Sequence, residues 1–281
     1  MIRKIARSFQ PSDPHPFSSA AQKKLPNYLI ACYTEKRRNG YFGMAKSTEL
    51  INTIASAVAV VPPATVLLHD RALMDAGERT KTKRGRGAAD MTARDAANLL
   101  ISVLASPIAG PNVKGSVDRW RQYATLASDG GFLKRGKEFD RLDSMWRLPG
   151  CEIGHLTALG KGHTASEAIE AIIKSIADRS LHRALGVKDN DSLFTYPHTF
   201  RVEFRFPVPI IDITFNNVIE GSGPIQEGHT YYFGGSSAVQ GEEAHRRFEA
   251  GDMSWSGDLV ESRTITLETL RRLGFLIGGR P

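Results

Sequence analysis

Arg79, Lys81, Lys83, Arg84 and Arg86 set five cations within nine residues, at the head of the stretch RTKTKRGRGAADMTARDAANLL. Ammonium and guanidinium groups at that density suit a polyanion, because each phosphate they neutralise releases condensed counterions. Five such contacts imply a salt slope of about −4.5 on duplex DNA. Gly85 and Gly87 let the backbone follow a narrow groove, and the alternation of Thr with Lys reads as a two-stranded ribbon with a glycine turn at its tip. Readout from a minor groove separates A·T from G·C and little more. Beyond Gly87 the same stretch becomes a helix start, with Thr92 and Asp95 as a variant capping box ahead of Ala96, Leu99, Leu100, Val103 and Leu104.

Other residues with chemical potential lack a pattern that demands chemistry. Cys151, His155 and His163 follow a C-x3-H-x7-H spacing that matches no zinc site and has no fourth ligand nearby. GKGHTAS lacks the spacing and ending of a phosphate loop. Asp212, Glu220, Glu227, His229, Glu242, Glu243 and His245 read as polar positions on the exposed face of a sheet and in its loops. Phe200, Phe204 and Phe206 share one strand face and read as sheet core. No nucleophile elbow, His-Glu-x-x-His or dinucleotide fingerprint occurs. No catalytic residue, metal ligand or cofactor is therefore assigned. The alternatives kept open are a nucleic-acid-processing enzyme with its site in the 196–281 sheet, and a non-catalytic interaction protein.

The elements that must position the cations come from periodicity and caps. Leu50, Ile51, Ile54, Ala55 and Val58 recur at helical spacing after Ser47 and Thr48, and Pro62 and Pro63 interrupt them. A second helix runs from Pro63 to Ala76, with proline at its first position and Gly77 as C-terminal cap. Helices are predicted from Thr92 and from Ser116, a short amphipathic segment around KEFDRLDSMW, and a long helix from Thr164, boxed by Glu167, to Gly186. From Tyr196 the pattern becomes strand-like: TFRVEFRFPVPIIDITFNNV, TYYFGGSS and DLVESRTITL, closed by a helix over LETLRRLGFLIG. The expected class is α+β, with an N-terminal helical module followed by a mixed α/β region carrying an antiparallel sheet. The expected divisions are a tail at 1–43, the module at 44–106, a helical connector at 107–150 and an α/β domain at 151–281.

The chain has 281 residues and a formal charge of +7. Most of that charge sits at the front, since residues 1–43 hold eight Lys/Arg against two acids. MAKSTELINTIASAV opens at Met44 like an N-terminus in its own right. Residues 1–43 therefore read either as a basic disordered tail or as an extension upstream of the true start. Without the tail the charge is close to neutral, and the cluster at 79–86 carries the electrostatic argument. No run of eighteen apolar residues and no secretory apolar core occurs, which reads as a cytoplasmic, membrane-free chain. Two cysteines give no disulfide framework.

Helix, turn, helix, glycine and basic ribbon, over residues 47 to about 91, resembles a winged helix-turn-helix module. That resemblance implies a second helix in the major groove and a ribbon on the backbone or minor groove. It nominates Thr65, His69 and Arg71 on the second helix, and Arg79, Lys81, Lys83, Arg84 and Arg86 on the ribbon, as DNA contacts. KRGRG is similar to the core of AT-hook minor-groove binders but lacks their following proline. The run KSTELINTIASAV…PPATV…RGRGA…MTARDAANLLI also resembles a family of uncharacterised bacterial proteins encoded near mobile elements. The implied function is a DNA-binding transcriptional regulator acting on double-stranded DNA as a homo-oligomer.

Overall fold

A computed structural model describes residues 45–58, 61–81, 90–106, 115–187, 199–206, 208–219, 223–232 and 261–279. The proposed tail, 1–43, lies outside them. Four helices come first: α1 (Ser47–Val58), α2 (Pro63–Ala76), α3 (Ala93–Leu104) and α4 (Ser116–Ala124). The hairpin β1 (Ala127–Arg135) and β2 (Glu138–Leu142) follows, then α5 (Gly154–Thr157), α6 (Ala165–Ala177) and α7 (Ser180–Ala184). The chain continues as β3 (Phe200–Phe206), β4 (Ile210–Ile219), β5 (Gly223–Tyr232), β6 (Glu261–Thr266) and α8 (Leu267–Ile277). The class is mixed α+β with an antiparallel sheet, in strand order β2-β1-β5-β4-β3-β6.

The caps form as their residue types require. Pro63 opens α2, and Gly77 closes it with φ 81°, a conformation that costs a residue with a Cβ. Thr92 and Asp95 complete a reciprocal box on α3, as do Thr164 and Glu167 on α6. The long helix expected from Thr164 to Gly186 is broken where Arg179 takes φ 65°, which separates α6 from α7.

The main hydrophobic core runs from Ala45 to Leu276, a second small cluster joins Leu133, Leu142 and Ile225, and Phe42–Pro281 forms one compact unit. Phe200, Val202 and Phe204 of β3 and Ile211, Ile213 and Phe215 of β4 are buried in that core, whereas Arg201 and Arg205 are exposed. In α6, Ala165, Ala168, Ile169, Ile172, Ile173 and Ile176 form the inward stripe. Gly274 allows α8 to approach it: a Cβ there would lie 2.5 Å from Ile176 Cβ.

These contacts correct the expected divisions. The span 107–150 is not a helical connector, because β1 and β2 join the central sheet through pairing with β5. KEFDRLDSMW, expected as a short amphipathic segment, holds strand β2. The helices of 44–106 share their core with α6 and α8 and do not build a separate one.

Candidate nucleic-acid interface

The cationic stretch lies in sequence between α2 and α3, and the packing fixes the described residues at both of its ends. Glu78 C=O accepts from Asn98 Nδ2 at 2.8 Å, and Ser166 Oγ donates to Asn98 Oδ1 at 2.9 Å. Thr80 N–H donates to Asp95 Oδ1 at 2.8 Å, and Thr80 Oγ1 donates to Oδ2 at 3.0 Å. The same Oδ2 accepts from Thr92 N–H and Thr92 Oγ1, each at 2.8 Å. Asp95 is 3% exposed. One carboxylate thus starts α3 and ties together the two ends of the chain around residues 81–90. The return end is held again where Met91 N–H donates to Ala45 C=O at 2.9 Å and Lys46 Nζ meets Asp90 at 2.6 Å.

The nominated contact residues divide into three groups. Arg71 and Lys81 are exposed, and Thr65 is half-buried in the first turn of α2. Lys83, Arg84 and Arg86 lie outside the described residues, as does the expected ribbon. His69 and Arg79 belong to the interior, which corrects their expected roles. His69 is 3% exposed, and its Nδ1 meets Ser116 Oγ at 2.6 Å and Ser102 Oγ at 3.1 Å. Burial, with Arg119 nearby, pushes the imidazole down to about 4, so it sits neutral between two hydroxyls. Arg79 is 4% exposed and turns back to Asp70, Nε to Oδ1 at 2.6 Å. Burial raises the Asp70 carboxyl above the usual range, against the pull of Arg79. Val66, His69, Asp70 and Leu73 form the buried stripe of α2, which turns His69 inward and sets Asp70 where it pairs with Arg79. The outward side of α2, Ala64, Leu68, Arg71 and Asp75, offers one cation.

The discounted residues also have definite places. His155 pairs with Asp178 at 2.7 Å, while His163 meets Gly160 C=O at 3.0 Å and Tyr231 OH at 2.9 Å. Cys151 is buried, which pushes its thiol up to about 12. These groups do not converge, and among the described residues no His/Cys/Asp/Glu cluster fits a metal ion.

Glu227 and His229 are not on the exposed face where the sequence reading put them. Both are fully buried, in the same inward row as Ile225 and Tyr231, and period-two alternation could have revealed this. Glu227 accepts from Arg147 N–H at 2.8 Å and Leu148 N–H at 2.6 Å, and its Oε1 lies 3.1 Å from His229 Nε2. His229 Nδ1 lies 3.5 Å from Ser128 Oγ, and its ring packs on Trp146 at 4.1 Å between centroids. A hydroxyl, imidazole and carboxylate in line invite comparison with a catalytic triad. Burial of all three and the two backbone donors on Glu227 make the group an internal clasp for residues 147–148.

Two glycines fit rings across the β1–β5 seam. A Cβ on Gly131 would lie 2.8 Å from the His229 ring on the core side, and a Cβ on Gly228 would lie 2.5 Å from the Phe132 ring on the open side. Each strand's glycine therefore accommodates the ring of its register partner.

No protein-family model, curated protein or solved structure matches this chain. No helix among the described residues is long and apolar enough to cross a membrane.

Proposed function

We propose that the protein is a cytoplasmic DNA-binding regulator that contacts double-stranded DNA through its cationic stretch, in the manner of a winged helix-turn-helix-like module, and works as a homo-oligomer. The observation that supports this reading most is the Asp95 clasp. It fastens Thr80 and Thr92 to one buried carboxylate, so both ends of the segment that carries the cations are fixed. Fixing those ends lowers the entropy lost when the cations meet a ligand. The contact set is Lys81, Lys83, Arg84 and Arg86, with Arg71 and Thr65 on the flank. Arg79 drops out because Asp70 already neutralises it in the interior.

Four phosphate contacts imply a slope of log K against log salt of about −3.6 on duplex DNA. Titrating a fluorescent duplex between 50 and 200 mM salt (about) should therefore weaken binding roughly 100-fold. The triple change Lys83→Ala, Arg84→Ala, Arg86→Ala should bring the slope to about −0.9. An unchanged slope in the variant, or a flat one in the native chain, rejects the reading.

A further inference from the structure

The β1–β2 hairpin carries a second arrangement that the cationic stretch does not use. Phe132 pairs in register with Arg141, and Lys134 with Phe139. Residues of one strand two positions apart share a face, so Phe132, Lys134, Phe139 and Arg141 form a diagonal pattern of two rings and two cations on one side. The hairpin's Glu138 and Asp140 alternate to the other side with Leu142. Neither Lys134 nor Arg141 has a carboxylate partner among the described residues.

The rings lie open. Phe132 and Phe139 stack with centroids 5.7 Å apart and planes 13° from parallel, and Phe139 remains 61% exposed. Phe132 already covers Gly228, so cover for that glycine does not explain the outer ring. Inward along the sheet the neighbours are neutral and polar. Gln226 stands beside Lys134 and donates to Asn216 Oδ1 at 3.1 Å, and Thr214 stands beside Gly228. Among the described residues, this face carries the acids Glu203 and Asp212 on β3 and β4, each tied to an arginine at 2.7 Å, Arg201 and Arg205 respectively.

We propose that this open face binds single-stranded nucleic acid, with bases stacking on Phe139 and Phe132, phosphates meeting Lys134 and Arg141, and the Gln226 and Asn216 amides reaching base edges. Free π-faces exist on unpaired bases and are closed within a duplex, which selects the single strand. Charge selects a polyanion over an acid-poor protein surface, because the two cations of the patch have no carboxylate partner among the described residues. Lys134 and Phe132 stand about 6.8 Å apart along β1, a spacing that sets a phosphate contact next to a stacking platform. The site is separate from the cationic stretch and does not depend on it.

The test uses the full chain with fluorescent dT and rU oligomers and a blunt duplex of the same length. Phe139→Ala should weaken single-strand binding about ten-fold or more, and Phe139→Trp should restore it. Lys134→Gln with Arg141→Gln should flatten the single-strand salt slope by about 1.4. Duplex binding should be unchanged in all three, and circular dichroism should show the native fold. The dT and rU arms separate DNA from RNA as the source of the strand. Absence of binding to both oligomers, or single-strand affinity indifferent to Phe139 and to the cation pair, overturns the proposal.

Discussion

Asp95 and Glu227 are both buried carboxylates that accept backbone N–H groups, but they differ in how far along the chain they reach. Asp95 gathers Thr92 and Thr80, 3 and 15 positions away, around the start of one helix. Glu227 gathers Arg147 and Leu148, 80 and 79 positions away, across the edge of a sheet. The first fastens the two ends of the chain on either side of residues 82–89. The second fastens a strap inside the fold, where Leu148 takes φ 41°, a conformation that disfavours a side chain and persists only under surrounding constraint. The same chemistry thus gives local fastening in one region and long-range cohesion in the other.

Three perturbations separate these roles. The largest effect should follow Glu227→Ala, which leaves two interior N–H groups and His229 without their acceptor. Urea denaturation should show a loss of about 3–5 kcal/mol, with duplex affinity per folded molecule unchanged. Asp95→Ala removes the capping box and the Thr80 link, and should cost about 2–3 kcal/mol. It should also weaken duplex binding, since the ends of the cationic segment loosen; native affinity in that variant would make the clasp structural only, like Glu227. Acid gives the smallest effect, and comparison with a His69 variant isolates the helical region's share of it. Burial depresses the His69 imidazole to about 4, below its ordinary 6.5. Its contribution is therefore intact above pH 6.5 and lost as pH falls toward 4, because the unfolded chain takes up the proton first. Lowering pH from 7.5 to 5 should cost about 2 kcal/mol through this group. His69→Gln should remove that part of the acid slope, and an unaltered slope would show that the imidazole is not held neutral.

The same contrast of reach explains what the sequence disclosed. The Thr92–Asp95 and Thr164–Glu167 boxes, Pro63 and Gly77 act within one helical turn, and each was readable from residue types at fixed spacing. The alternation through β3 and β4 was equally plain, because one face is apolar core. The β1–β2 hairpin was hidden, since ASDGGFLKRGKEFDRL is rich in glycine and charge and becomes a strand through partners in β5. His69 and Arg79 were misplaced for a related reason. Residue type nominated them as contacts, whereas the stripe Val66, His69, Asp70, Leu73 decides their direction, and Asp70 supplies a local counter-charge. The Thr80 link to Asp95 carried no signal in sequence, because a loop threonine has many equivalent uses.

The glycine-for-ring exchange between β1 and β5 bears on how the chain folds. Ala127 and Tyr232, register partners across that seam, are 105 positions apart, the widest separation joined by the sheet's described pairings. Topology assigns such a closure to the slow part of folding, after the local β3–β4–β5 meander. A one-residue slip would set the Phe132 ring against the side chain of Glu227 or His229 instead of the bare Cα of Gly228, so mispaired encounters are rejected sterically. The two glycines therefore act as a proofreading step in assembly, admitting the outer hairpin in a single register.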